Sequence, residues 1–348
     1  MMTRTIPIQN VYYLLLYAWM RLDEGQLVDV SGIESTNLAD LFTRVLCTGT
    51  RHLLRRGLDR GYLTKEEDTS CLRGRIDVTS SVKRLLFLKA SACCRFDELS
   101  HDVLHNQILR STLHRLSRVA SLDSGLRAES LGLMRELHEI AEIRLNRLAF
   151  RQLQLHRNNR FYDFLMKVCD LVQRNLLVDE QTGAYRFREF VRDEQEMAAL
   201  FESFVFNFLR LEQTAFRVSS DQIAWDAMSD DEEAMSFLPQ MRTDISLRSA
   251  DRTVVIDTKY YEETLQTHFG KTSVHSGHLY QICAYLRNLE KRGGADAHAD
   301  GILLYPAVSQ RLDLRYRVQG HVVRVCTLDL AQEWKMIRRD LLDLVSAA

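Results

Sequence analysis

Val254-Val255-Ile256-Asp257-Thr258-Lys259 is the stretch from which the fold can be read. Three consecutive aliphatic residues, all β-branched, specify a strand buried on both faces. An acid and a lysine then interrupt it, and because side chains alternate along a strand, Asp257 and Lys259 share a face. Just upstream, Met241 to Ser249 reads as a second strand carrying one acid, Asp244. If the two strands form a hairpin with an even loop centred on Ala250-Asp251, counting outward sets Asp244 opposite Asp257. Like charges with Cβ atoms ~4.5–5.5 Å apart are destabilising unless a cation lies between them. A divalent metal resolves that conflict, since two carboxylates completed by water and phosphate oxygens make the oxygen-rich coordination that Mg²⁺ prefers. Lys259 beside such an ion would orient or activate a water and stabilise charge developing on an attacked phosphodiester. The bland alternative is two strand-end carboxylates, one of them paired with Lys259, because Asp-x-Lys alone recurs by chance.

The flanking sequence completes a domain around this hairpin. Asp193 to Arg210 is an amphipathic helix whose buried stripe is Met197, Leu200, Phe201, Phe204, Val205 and Phe208, and it also carries Glu202. Leu279 to Lys291 is a second helix, with Gln281 and Tyr285 one turn apart on the same side. Gly301 to Tyr305 reads as a buried strand, Leu314 to Leu328 as a hairpin, and a final helix follows. Alternating strands and helices predict an α/β domain with a central mixed sheet over residues 161–348.

Residues 1–160 predict a separate α+β domain. Ile6 to Trp19 (IPIQNVYYLLLYAW) begins extended at Pro7 and is too apolar for a surface helix, so Tyr12, Tyr13, Tyr17 and Trp19 are expected in a core rather than stacked on bases. Leu38 to Leu58 reads helical with Gly57 as its stop, its arginines 44, 51 and 55 forming a solvated face. Cys71 to Val78 reads as a strand edge with Arg73 and Arg75 on one side and Gly74 permitting a bulge. Asp97 to Arg118 and Leu126 to Leu148 continue as helices.

Composition narrows the function classes. The 348 residues hold 46 basic and 47 acidic side chains, a formal charge of −1, so any nucleic-acid surface is local. Arginines number 38 and lysines 8; guanidinium forks suit phosphates, although codon bias produces the same excess. Seven cysteines without a CxxC pair indicate neither a disulfide framework nor a zinc ribbon, which fits a reducing cytoplasm. Val11 to Met20 is too short to span a bilayer, which takes ~20 residues, so no membrane anchor is expected. Gly270-Lys271-Thr272 imitates the end of a phosphate-binding loop, but the full pattern needs glycine where Leu265 stands, so no nucleotide site is assigned to this chain. His275, His278 and Cys283 supply three candidate zinc ligands and no fourth.

Taken in order, the acidic strand, the Asp-x-Lys strand and the Gln281–Tyr285 helix resemble the PD-(D/E)xK nuclease superfamily; the residue before Asp244 is Thr243 where the superfamily name has proline. With IPIQNVYYLLLYAW, LRGRID from Leu72, FDELSHDVLHNQIL from Phe96, MRTDI from Met241 and VIDTKYY from Val255, the chain resembles more narrowly the McrC family, the nuclease subunits of McrBC 5-methylcytosine-specific restriction systems. The resemblance runs from Ile6 to about Trp334. It implies a restriction-endonuclease-like domain, with Asp244 and Asp257 as ligands of Mg²⁺ (or Mn²⁺), Lys259 as the catalytic lysine, Gln281 and Tyr285 as supporting catalytic residues, and Glu202 as a possible accessory acid. It further implies a cytoplasmic antiviral enzyme that cuts double-stranded DNA carrying methylated cytosine. Its partner would be a McrB-like AAA+ GTPase ring that uses the GTP, on which the amino-terminal domain docks and whose hydrolysis it stimulates, with Arg73 and Arg75 as candidate contacts. Two other readings stand beside it: a motor-activating adaptor with an inactive nuclease domain, and a stand-alone PD-(D/E)xK repair nuclease.

Overall fold

The computed structural model describes residues 6–28, 30, 37–156, 159–178, 185–188, 190–260, 265–268, 271–307 and 311–346. The chain divides into two compact units, one formed by Met1–Leu22 with Glu189–Ala348 and the other by Asp23–Arg188. The elements used below are, in chain order, helix α1 (Ile8–Ala18), α2 (Leu38–Arg56), strands β1 (Gly61–Thr69), β2 (Arg75–Ile76) and β3 (Ala92–Ser100), and helices α3 (Leu104–Ser117), α4 (Ser124–Glu136), α5 (Arg160–Asn175) and α6 (Glu194–Glu212). They continue with β4 (Arg217–Ser219), β5 (Ile245–Arg248), β6 (Thr253–Thr258), α7 (Ser276–Glu290), β7 (Asp300–Pro306), β8 (Asp313–Val318), β9 (His321–Leu328) and α8 (Trp334–Ser346).

The first unit is built on a six-stranded sheet in the order β8-β9-β7-β6-β5-β4. β6, β7 and β9 run parallel, while β8, β5 and β4 are antiparallel to their neighbours, so the sheet is mixed as expected. Its two faces are read from β6: Val254 and Ile256 pack into one core with Leu14 and Tyr17 of α1, Phe201, Phe204 and Phe208 of α6, and Ile337 and Leu341 of α8. Val255 packs into the other with Ile282, Tyr285, Leu286 and Leu289 of α7. Apolar burial on both faces of the central strand is what a three-layer arrangement of helix, sheet and helix requires. Trp334 stacks on Tyr13 with ring centroids 4.7 Å apart, which puts the amino-terminal aromatics in a core.

The second unit contains the antiparallel sheet β1-β3-β2 and helices α2, α3, α4 and α5. α2 begins at Asn37, whose side chain accepts from the Ala39 amide, and stops at Gly57 with φ +89°, as its sequence predicts.

Four expectations need correction. The break falls not at residue 160 but around 22 and 188, because hydrophobicity marks α1 as buried without saying against what. α5 belongs to the second unit: Tyr162 donates to Asn106 Oδ1 at 2.8 Å, and Gly49 lets α2 approach so closely that a Cβ there would lie 2.5 Å from Leu165. The helix expected from Asp97 starts at Leu104, since residues 97–100 continue β3, where pairing of Phe96–Ser100 with Gly61–Lys65 overrides a weak local helical preference. The pattern over Leu126–Leu148 yields a helix only to Glu136. In Cys71–Val78 only Arg75–Ile76 is strand; Gly74 turns the backbone at φ +65°, and Arg73 instead lies over the Phe96 ring at 3.8 Å and pairs with Glu67. Among the described residues no helix is long and apolar enough to cross a membrane.

Candidate functional site

The β5–β6 pairing places the acids. Arg248 pairs with Thr253, Leu247 with Val254, Ser246 with Val255 and Ile245 with Ile256, the register deduced from the even loop, so Asp244 comes next, beside Asp257. Met241 faces the α7 core and Ile245 the opposite one. An uninterrupted strand would put both on one face, so the bend at Thr243-Asp244 shifts the alternation by one. Asp244 shares the face of Asp257 by the ladder's own count, and the shift separates it from Met241 and Arg242.

Each site residue has a local reason for its position. Asp244 Oδ2 accepts from the Thr258 amide at 2.8 Å and from the Thr258 hydroxyl at 3.0 Å, which locks the carboxylate at the carboxyl end of β6. Lys259 continues the parallel ladder beyond the strand, its amide donating to Leu304 O at 2.9 Å. Its ammonium lies 2.8 Å from Asp257 Oδ2. On α7, Gln281 Nε2 donates to Tyr285 Oη at 2.7 Å, and the Tyr285 phenol feels Asp257, Asp244 and Lys259. On α6, Glu202 is held above the usual carboxylate range by crowding around its carboxyl and by the Asp244 charge, against the pull of Arg242 and Lys259. Five predicted residues, Asp244, Asp257, Lys259, Gln281 and Tyr285, therefore gather at one end of the sheet, with Glu202 at its margin. Arg73 and Arg75 belong to the other unit.

The electrostatics are unusual for a structural site. Asp257 is fully buried, and among the described residues the one partner of its carboxylate is the Lys259 ammonium at Oδ2, while Oδ1 has none. Burial, then the Asp244 charge, pushes its pKa up to about 6 although Lys259 opposes this. Burial pulls Lys259 down, but the Asp257 and Asp244 carboxylates more than offset it and hold its pKa above the ordinary value. A buried carboxylate with one oxygen unpartnered and a second acid beside it is costly.

That deficit fits a divalent cation. Asp244 and Asp257 supply hard oxygen ligands, and ligation would satisfy the acceptor capacity that Lys259 alone leaves open at Asp257. Among the described residues no three His, Cys, Asp or Glu side chains group closely enough to hold an ion by themselves, so water and substrate oxygens would complete the shell.

Several residues in this neighbourhood escape sequence reasoning. Thr258 reads as a spacer, yet it fixes Asp244. His278 Nδ1 lies 2.9 Å from the hydroxyl of buried Tyr305, and burial, then the Lys259 charge, lowers its pKa to about 4, so the ring is neutral. Arg242, exposed and two residues before Asp244, bears on Glu202. A polar residue in the first turn of a helix, and an arginine beside an acid, were the available signals.

Comparison with known proteins follows from this geometry. The profile of the family described as McrBC 5-methylcytosine restriction system component matches residues 12–306. The chain is 34% identical over 339 residues, 97% of both sequences, to the type IV methyl-directed restriction enzyme EcoKMcrBC of Escherichia coli (strain K12). A chain in a half-complex from the tetradecameric assembly of Thermococcus gammatolerans McrB AAA+ hexamers with bound McrC has the same fold, with a TM-score of 0.63 and 17% identity over 97% of this chain and 76% of that one.

Proposed function

The chain belongs to the McrBC restriction-system family, and from that premise we propose that it is the DNA-cutting subunit of a modification-dependent restriction complex, a Mg²⁺-dependent endonuclease of PD-(D/E)xK type that acts with an AAA+ GTPase ring. The observation that carries the reading is Asp257, fully buried beside Asp244, with the Lys259 ammonium as the one partner of its carboxylate among the described residues.

Asp244 and Asp257 would hold the metal, which when bound supplies a polarised phosphate and a more acidic water. Thr258 keeps Asp244 in position through its amide and hydroxyl. Lys259, kept protonated by the two carboxylates, is suited to neutralise charge that builds on the phosphate oxygens during attack rather than to accept a proton. Gln281 and Tyr285 form one hydrogen-bonded pair on the wall of the site, Tyr285 as a neutral phenol.

The second unit is assigned to partner docking. The stretch between β2 and β3, a short helix (Val78–Lys83) and the turn after it, exposes Val78, Val82, Leu85, Phe87 and Leu88, the last 82% exposed. Apolar side chains clustered this way mark interaction surfaces. Leu85 and Ala90, with φ of +54° and +51°, bracket the turn Leu86–Lys89 in left-handed backbone that residues with a Cβ rarely adopt, a conformation retained where function demands it. Recognition of methylated cytosine is left to the ring, since this sequence contains no base-reading motif.

The test is cleavage of cytosine-methylated and unmethylated plasmid by this chain, with and without its co-encoded AAA+ protein and GTP, with Asp257→Ala as control. Methylation- and GTP-dependent cutting that disappears in the variant supports the proposal. Cutting without the GTPase would favour a stand-alone nuclease. No cutting with raised GTP hydrolysis would leave only the adaptor role.

A further inference from the structure

Arg242 is exposed, and only Thr243 separates it from Asp244. Its Nε donates to Ser220 Oγ at 3.0 Å, and the Ser220 hydroxyl in turn donates to Thr243 O at 2.6 Å. Thr243 is itself fixed, 1% exposed, with its amide on Asp221 O and its hydroxyl on Ser246. One edge of the guanidinium is thus anchored to the same backbone that carries Asp244. Its two Nη groups make no hydrogen bond among the described residues and face an open groove of about 540 Å³ lined by Ser220, Asp221, Gln222, Arg242 and Arg292.

The charges of that groove favour an anion. Asp221 is neutralised from behind by Arg248 at 2.9 Å. Arg292 is tied to Gln222 O at 2.6 Å and lies 3.9 Å from Asp296, which holds it at the rim. Arg242 therefore presents the free positive charge, as a planar fork matched to phosphate oxygens. Its Cα is at most about 7.6 Å from that of Asp244, two Cα–Cα steps along the chain. Glu202, which senses both Arg242 and Asp244, places the groove next to the carboxylates.

We propose that Arg242, oriented by Ser220, clamps a backbone phosphate of the DNA strand next to the phosphate held at Asp244 and Asp257. Arg242 is a substrate-binding residue and Ser220 a positioning residue that acts through it. The assignment rests on the nuclease reading for the identity of the ligand.

Binding and cutting are tested separately, so that the two proposals can fail independently. DNA affinity is measured with the full complex carrying Asp257→Asn, across a series of salt concentrations, alone and with Arg242→Ala, Arg242→Lys or Ser220→Ala added. Loss of one ionic phosphate contact reduces the log–log salt slope by about 0.9. Arg242→Ala is expected to show that reduction and roughly tenfold weaker binding, the scale of a charge-assisted hydrogen bond. Arg242→Lys should keep the slope while losing part of the affinity, because the charge remains and the fork does not. Ser220→Ala should keep the slope with a threefold or smaller loss. On the otherwise wild-type complex, Arg242→Ala should raise KM more than it lowers kcat. An unchanged slope in Arg242→Ala, with its unfolding midpoint intact, would overturn the clamp whatever happens to affinity. Failure of the wild-type complex to cut would instead overturn the nuclease reading, while the slope still reports on Arg242.

Discussion

Two acidic clusters in this protein have opposite fates. On β1 of the second unit, Glu66, Glu67 and Asp68 are consecutive, and each finds an arginine: Arg95 at 3.3 Å and Arg84 at 3.6 Å for Glu66, Arg73 for Glu67, and Arg84 at 3.0 Å for Asp68. Glu66 is held below the usual carboxylate range, first by hydrogen bonds from Cys93 and Arg95. At the end of β6, Asp257 is raised to about 6 and Glu202 is raised with it. Where each acid has an arginine at the surface, the cluster is structural; where two acids share one lysine and one of them is fully buried, the balance of charge is left to the cation proposed above.

The comparison can be broken most sharply at Asp257. With the GTPase, GTP and Mg²⁺ present, Asp257→Asn should reduce plasmid linearisation at least ~100-fold, the scale set by removal of a site's charge stabilisation, while stimulation of GTP hydrolysis survives. Persistent cutting would mean that the buried acid is as structural as Glu66. On the other unit, Leu88→Glu should lower that stimulation roughly tenfold or more, as for a central interface residue, without moving the unfolding midpoint. A normal stimulation rate would detach the exposed apolar surface from docking.

The acids also differ in how stability follows pH. Asp257 holds its proton in the folded state up to about pH 6, whereas the unfolded side chain releases it near ~3.9. Between those values the native state binds more protons, so stability falls as pH rises. In EDTA, the wild type should lose about 2–3 kcal/mol relative to Asp257→Asn between pH 4 and 7, read from urea midpoints, and Mg²⁺ should restore it. Parallel pH curves for the two proteins would show that Asp257 is not strained. Tyr285→Phe, which deprives Gln281 of its acceptor, should slow cutting several-fold, in line with about 1 kcal/mol for one hydrogen bond. Glu66→Gln lies at the small end: an exposed pair contributes little, and the urea midpoint at high salt should be unchanged.

What the sequence makes legible follows from how local the cause is. The β5–β6 register could be counted because an even turn and a period of two are enough to align Asp244 with Asp257. The stripe of α6 and the stop of α2 at Gly57 were equally readable. Thr258 as the anchor of Asp244 was not, because its amide and hydroxyl reach the carboxylate across the strands, beyond the last paired residues, where a period of two no longer says which groups meet. Residues 97–100 read as helix because their strand partner lies more than thirty positions earlier. Apolarity alone could not assign α1 to the sheet that lies beyond residue 188.

That assignment has a consequence for synthesis. Residues 23–188 form one unit from a continuous stretch of chain, while α1, made before them, must wait for partners made after them. Leu14 and Tyr17 find Phe204 and Phe208 only after an entire second unit has been translated, and Ile337 and Leu341 of α8 close the same core later still. The carboxylate pair is thus assembled only after the rest of the protein exists, so an interrupted translation product would contain the proposed docking unit but no cutting centre. Removing α1 would open the core beneath the sheet that holds Asp257, although more than two hundred residues of sequence separate the two.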